Sequence, residues 1–165
     1  VSAAAPNIRP ALREDWPAIW RFLQPVIAAG ETYALPRDMT EAAARDYWFA
    51  AGHTVLVASL DAAVVGTYVL TANRPGGGAH VANCAYVTAA EASGQGVARA
   101  MAADSLDRAR AMGFRAMQFN FVVSSNTRAV RLWHGLGFLT VGRVPRAFAH
   151  PALGEVDALV MHRFL

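Results

Sequence analysis

The sequence predicts a mixed α/β domain, a central sheet of about seven strands with helices on both faces. Three observations lead there. Strand-like and helix-like stretches alternate in the order β-α-α-β-β-β-α-β-α-β-β. The chain has 165 residues and a mass of 17.6 kDa, which suits a single domain over residues 1–165 with a core that needs no staple. Hydrophobic residues make up 55% and charged ones 16%, which excludes intrinsic disorder.

Each element has its own signal. Asn7 to Ala11 reads as a short first strand. Asp15 is placed to cap the first helix, with Pro17 tolerated in its first turn. Trp16, Ile19, Trp20, Leu23 and Ile27 recur at helical spacing, and Gly30 closes the helix. Glu31 to Asp38 is a connection. Thr40 caps a second helix running to about Ala51. Thr54 to Leu60 and Val64 to Thr71 form a hairpin around Asp61-Ala62-Ala63. Arg74-Pro75-Gly76-Gly77-Gly78 signals a mobile loop. His80 to Thr88 is the next strand. After Gly94-Gln95-Gly96 an Ala-rich helix runs to Met112 and stops at Gly113. Arg115 to Val122 is a strand and Asn126 to Leu136 a helix ended by Gly137. Phe138 to Val144 and Glu155 to Arg163 are the last two strands, joined by a loop that holds Arg146 and His150.

Composition narrows the function. The net charge is +3, and all fifteen basic residues are arginine. The charges are scattered, so nucleic acid or membrane partners are not expected, while a small anionic ligand is compatible. One cysteine, Cys84, excludes an internal disulfide framework and any multi-cysteine metal site. No apolar stretch reaches the ~18 residues of a membrane span. Val1 to Pro6 lacks the basic region and apolar core of a leader, and a cytoplasmic protein is expected.

The strongest local feature is Tyr86-Val87-Thr88, followed by Ser93-Gly94-Gln95-Gly96-Val97-Ala98-Arg99. A strand ends, a glycine turn follows and a helix begins. The first helical turn offers unpaired N–H groups and the positive end of the helix dipole, where a phosphate fits. Gly94 and Gly96 let the backbone approach an anion. The spacing is neither G-x-x-x-x-G-K-[ST] nor G-x-G-x-x-G, because Met101 and Ala102 occupy the later positions.

Thr88 to Phe138 resembles the core of the GNAT superfamily, the acetyl-CoA-dependent N-acetyltransferases. The family carries [QR]-x-x-G-x-[GA] at the glycine turn. Gly96 and Ala98 match, and Ser93 stands where Arg or Gln is usual. Downstream, Asn126-Thr127-Arg128-Ala129-Val130-Arg131-Leu132-Trp133-His134-Gly135-Leu136-Gly137-Phe138 resembles the family's N-x-x-A-x-x-L-Y-x-x-x-G-F. The order of elements from Ile8 to Leu165 also agrees. The resemblance implies the GNAT fold, with a mixed, mostly antiparallel sheet splayed between the fourth and fifth strands. It implies acetyl-CoA as cosubstrate, bound along Tyr86, Val87, Thr88 and Ser93 to Arg99, with Asn126 and Trp133 also in contact. It implies direct attack by a substrate amine, with amides near Tyr86 and Thr88 polarising the thioester carbonyl. It implies no metal, and a homodimer is compatible with exposed edge strands near the C-terminus.

One departure concerns the acid. The family's usual proton donor is the Tyr of the second motif, and Trp133 replaces it. An indole N–H donates a hydrogen bond but does not transfer a proton at neutral pH. The thiolate is then protonated by water or leaves as such. Cys84 reads as a core residue rather than a nucleophile.

Asn83 and Asn120 stand out because asparagine disfavours strands and a buried amide needs partners. Short runs around them, with Val141-Gly142-Arg143-Val144-Pro145-Arg146, resemble fungal acetyltransferases that detoxify proline analogues such as azetidine-2-carboxylate. That resemblance implies that Asn83 and Asn120 handle a small cyclic amino acid. Glu31, in the loop that covers the acceptor site in such folds, is a candidate base or amine ligand. His80 and His134 read as solvent-facing. A peptide N-terminus as acceptor, or a CoA-binding module without turnover, are the competing readings.

Overall fold

The computed structural model of the chain describes residues 5–165. Residues 1–4 of the N-terminal run considered above lie outside them. The elements are β1 (Asn7–Pro10), α1 (Trp16–Ala29), α2 (Glu41–Trp48), β2 (Thr54–Leu60), β3 (Ala63–Ala72), β4 (Val81–Thr88), α3 (Val97–Ala111), β5 (Ala116–Val123), α4 (Thr127–Gly135), β6 (Leu139–His150) and β7 (Gly154–Phe164). The strands form one seven-stranded sheet in the order β1-β2-β3-β4-β5-β7-β6.

Every neighbouring pair is antiparallel except β4 and β5. That parallel pair joins only at Val81↔Ala116 and Ala82↔Met117. Beyond those two rungs the strands part, and the upper halves of β4 and β5 face a gap instead of each other. The expected splay between the fourth and fifth strands is therefore present.

Helices cover both faces. Tyr68 of β3 donates its phenol hydrogen to Asp104 of α3 at 2.5 Å, while its neighbour Thr67 accepts from the Trp48 indole of α2 at 3.2 Å. Adjacent strand residues point to opposite faces, so α2 and α3 lie on opposite sides of the sheet. Between them sits a core of Ile19, Leu23, Trp48, Leu56, Leu70 and Met101, all essentially inaccessible to solvent. Gly66 lets α3 lie close to β3, for a Cβ there would stand 2.9 Å from the Met101 sulfur.

Four local expectations are corrected. Asp15 does not cap α1. It lies at the end of a 3-10 turn (Arg13–Asp15) without a side-chain cap bond. Its carboxylate instead accepts from the Leu12 N–H at 2.7 Å and from both terminal nitrogens of Arg9 at 2.7 and 2.8 Å. A bidentate arginine outcompetes the cap because both carboxylate oxygens are engaged at once. Thr40 does cap α2, accepting from the Ala43 N–H at 3.3 Å, but the helix ends at Trp48 rather than near Ala51. The β2–β3 hairpin turns on two residues, Asp61 and Ala62, with φ of 45° and 69°, which draws Ala63 into β3. Last, β6 runs on to His150, so Arg146 and His150 belong to a strand and not to a loop. A register shift between Val144 and Phe148 interrupts the pairing there, and Arg146 takes a φ of 52°. The alternation of apolar residues breaks at that bulge, which hides the continuation of the strand. The segment after β3 coils into a 3-10 turn over Gly76–Gly78.

Candidate active site

The gap between β4 and β5 is a cleft of ≈ 270 Å³. Backbone geometry decides what β4 offers it. Ala89 N–H bonds to Val65 C=O on the β3 side. Successive residues of a strand direct their N–H groups to alternate edges. The amides of Cys84, Tyr86 and Thr88 therefore point into the gap, and that of Val87 points back to β3.

The splay also frees carbonyls on the same edge. Tyr33, in the connection between α1 and α2, donates its phenol hydrogen to Tyr86 C=O at 2.9 Å. One side chain thus satisfies a carbonyl that a parallel strand would otherwise hold, and it ties the connection to the cleft wall. Burial is the main reason the Tyr33 phenol titrates far above its usual range, with Tyr47 and Cys84 adding to it. Tyr86 turns its ring to the α3 face, where its hydroxyl meets Ser105 Oγ at 2.7 Å. Cys84 is buried beside it, and burial pushes the thiol up to about 12. It lines the cleft as a neutral thiol.

The β5 wall carries amides. Gln118 Nε2 donates to Asn120 Oδ1 at 2.9 Å, and Asn120 Nδ2 donates to Asn73 Oδ1 at 2.6 Å. Asn73, just beyond β3, was not singled out in the sequence. Only the fold brings it to Asn120, and a lone Asn before Arg-Pro-Gly reads as turn chemistry. The chain of bonds leaves Asn120 one N–H and one lone pair for other partners. Asn83 lines the same cleft from β4. The two strand asparagines are thus brought together across the gap.

The floor is aromatic. Trp133 of α4 is 8% exposed and packs on Tyr86 and Phe119, with ring centroids 4.9 and 4.7 Å away. Phe119 stacks in turn on Phe138 at 4.4 Å. Asn126 caps α4, its Oδ1 accepting from the Ala129 N–H at 3.3 Å, and also lines the cleft.

Past the end of β4, beyond Thr88 and outside the cleft lining, lies the glycine turn. Gly94 and Gly96 adopt φ of +82° and +79°, left-handed conformations that favour glycine. A Cβ at either would meet no atom within 4 Å, so the turn presents bare backbone outward. Gly96 is the N-cap of α3, and the N–H groups of Val97, Ala98 and Arg99 belong to its first turn, where no helical acceptor exists. Gln95 folds back, donating to Glu91 C=O at 3.0 Å. Ser93 accepts from an Arg128 terminal nitrogen at 2.6 Å. Arg128 was missed in the sequence. Its signal was a small residue where a cation is usual and an extra arginine in the neighbouring motif.

Other candidates stay outside. Glu31 is exposed and does not line the cleft. His80 lies beyond the joined end of β4, its carbonyl bonded to Arg115 N–H. His134 is exposed and bonds through Nδ1 to Phe138 C=O at 3.0 Å. Arg146 pairs with Glu155 at 2.8 Å, and His150 Nδ1 accepts from the Ala152 and Leu153 amides. Among the described residues no helix is long and apolar enough to cross a membrane, and no group of three or more His, Cys, Asp or Glu converges.

Comparison with known proteins agrees with this geometry. A structure described as a GCN5-related N-acetyltransferase from Kribbella flavida is 46% identical, covers 98% of both chains and superposes with a TM-score of 0.93. The Schizosaccharomyces pombe protein N-acetyltransferase aca1 is 27% identical over 158 residues, covering 84% of this chain and 75% of that one. The yncA structure from Salmonella typhimurium, a putative acetyltransferase solved with its cofactor acetyl-CoA, is 23% identical, covers 98% of this chain and 95% of that one, and shares the fold with a TM-score of 0.84. The model of the acetyltransferase (GNAT) family matches residues 9–138. Those residues run from within β1 through the splayed pair, the glycine turn and α4, and the chain belongs to the acetyltransferase (GNAT) family, whose cosubstrate is acetyl-CoA.

Proposed function

We propose that the chain, acting as a single catalytic domain, transfers acetyl from acetyl-CoA to the amine of a small molecule, by direct attack in a ternary complex. An amino acid or proline analogue is the acceptor class this reading favours. The observation that carries it is a pairing: a cleft walled by strand amides and two asparagines and, past the end of β4, a bare glycine turn with Arg128 nearby.

The residues present suit the cosubstrate. The open turn at Gly94 and Gly96 leaves room for a pyrophosphate against the first-turn amides of α3, and Arg128 supplies positive charge beside it. Bound acetyl-CoA supplies the acetyl group as an activated thioester. The amides of Tyr86 and Thr88 hold the pantetheine arm and donate to the carbonyl oxygen, favouring the charge that develops there during attack. Trp133 and Phe119 form an apolar floor that keeps water from the thioester. Asn83 and Asn120 orient the acceptor. A cleft of ≈ 270 Å³ matches a small molecule better than a peptide backbone.

The test is thiol release from acetyl-CoA against a panel of amines, with mass spectrometry of the product. The panel includes azetidine-2-carboxylate, proline, primary amino acids and a short peptide. Acetylated small amino acid with the peptide inert is the expected result. Acetylation of the peptide alone would overturn the small-molecule reading, and silence across the panel with acetyl-CoA bound would point to a module without turnover.

A further inference from the structure

We infer that the acceptor cleft supplies no base, so that the amine enters unprotonated and its own pKa sets the pH dependence of turnover. This rests on the acetyl-transfer reading above.

The titratable side chains that face the acceptor space are Tyr33 from the α1–α2 connection, Tyr47 from α2, and Cys84 and Tyr86 from β4; β5 and α4 contribute none. Among the described residues no carboxylate, imidazole or guanidinium lines the cleft. Burial holds the Cys84 thiol and the Tyr33 and Tyr86 phenols in their neutral forms. The phenol hydrogen of Tyr33 is already given to Tyr86 C=O, and the Tyr86 hydroxyl is engaged with Ser105. Next to the lining residues stand Glu31 beside Thr32, Asp46 beside Tyr47, Arg128 beside Ala129 and His134 beside Trp133, with His53 edge-on to the Tyr47 ring and Arg74 next to Asn73. None of them lines the cleft: Glu31 and Asp46 are exposed, His53 Nδ1 bonds to Trp48 C=O, His134 Nδ1 to Phe138 C=O, Arg128 to Ser93, and Arg74 to the Asn73 carbonyl at 3.1 Å.

An ammonium ion in such a site finds amide oxygens but no counter-charge, and burying it is costly. A neutral amine finds the same oxygens as acceptors for its N–H groups. The amine lone pair forms the C–N bond and the C–S bond breaks, its electron pair leaving on sulfur. The surplus proton on nitrogen passes to water, and the thiolate takes a proton from water in turn. Atoms and charge balance without an enzyme acid or base. The Trp133 substitution fits, because the position that usually holds the acid holds a group that cannot serve as one.

The test uses the full chain with an acceptor that the panel identifies and its fluorinated analogue, whose amine is more acidic. kcat/KM is measured between about pH 6 and pH 10. The expected result is a tenfold rise per pH unit that levels off at a midpoint displaced between the two acceptors by the full difference in their amine pKa values. Glu31→Gln and His80→Gln leave both profiles in place. A common midpoint for both acceptors, below either amine, would reveal an enzyme base and overturn the inference alone. Calorimetry of azetidine-2-carboxylate and its fluorinated analogue with the CoA-bound protein provides a second readout that needs no turnover. Affinity that rises with pH along each amine's own titration supports the inference even if no thiol is released, an outcome that would sink the acetyl-transfer reading. Affinity that is higher for the protonated amine overturns it.

Discussion

The two ends of the cleft are built from different materials. The glycine turn offers consecutive backbone amides between Gly94 and Arg99, with Arg128 beside them. The proposed acceptor end offers neutral side chains on four separate segments: Tyr33, Asn73, Asn83 and Asn120. The contrast follows from what each end meets. A phosphate asks only for N–H groups and positive charge, which a helix start provides in any sequence that turns correctly. A specific acceptor asks for placed donors and acceptors, and those depend on which side chains the fold happens to gather. The backbone end can stay fixed while the side-chain end changes its substrate.

That contrast is sharpest at Asn120. Asn120→Ala removes the middle of the Gln118–Asn120–Asn73 relay and leaves two partly buried amide groups short of a partner. We expect kcat/KM for the acceptor to fall about a hundredfold, or roughly 3 kcal/mol. CoA affinity, read by calorimetry, should not change. An equal loss at both ends would show that the relay supports the whole cleft, and the distinction between its ends would collapse.

The same contrast explains what the sequence reveals. The glycine turn is legible because all its parts are neighbours: a strand ends, two glycines follow and a helix begins within a dozen residues. The splay is legible only through resemblance, since nothing in β4 or β5 taken alone says that they pair over two rungs. Asn83 and Asn120 are visible as polar residues in apolar strands, whereas Asn73 is not, because its bond to Asn120 spans 47 residues. The pairing of Ser93 with Arg128 also escapes, although both lie in recognised motifs, because a motif read position by position does not show one residue compensating another. Asp15 misleads for a related reason. A local cap was expected, and a partner six residues earlier took the carboxylate.

The backbone end yields smaller effects, spread over stability and binding. Gly96→Ala places a Cβ in open space, so its cost is the left-handed φ of +79° alone. That costs roughly 1–2 kcal/mol in urea unfolding, or appears as a shifted turn with weaker CoA binding. Arg128→Ala should weaken CoA binding about fivefold, with kcat at saturation unchanged, and the deficit should shrink at high salt as an exposed charge contact does. A loss that appears in kcat instead would move Arg128 from the cosubstrate end to the chemistry.

The smallest effect belongs to neither end and serves to calibrate both. Arg9 and Asp15 join β1 to the start of α1, away from the cleft. The hydrogen-bonded Arg9 guanidinium lowers the Asp15 pKa, with the Leu12 N–H adding to it against the desolvation that raises it. A carboxylate whose folded pKa is depressed adds stability above its unfolded value of about 3.9, and that stability is lost as pH falls through the folded value. The Arg9 side chain remains 38% exposed, so solvent screens the pair and Asp15→Asn should cost only about 0.5–1 kcal/mol at neutral pH. The difference from the parent chain should close as urea unfolding is repeated at successively lower pH. Acceptor kinetics and CoA affinity should be those of the parent throughout. If a change this distant altered either one, the effects of Asn120→Ala and Arg128→Ala could no longer be read as local, and the two ends of the cleft would have to be treated as one cooperative unit.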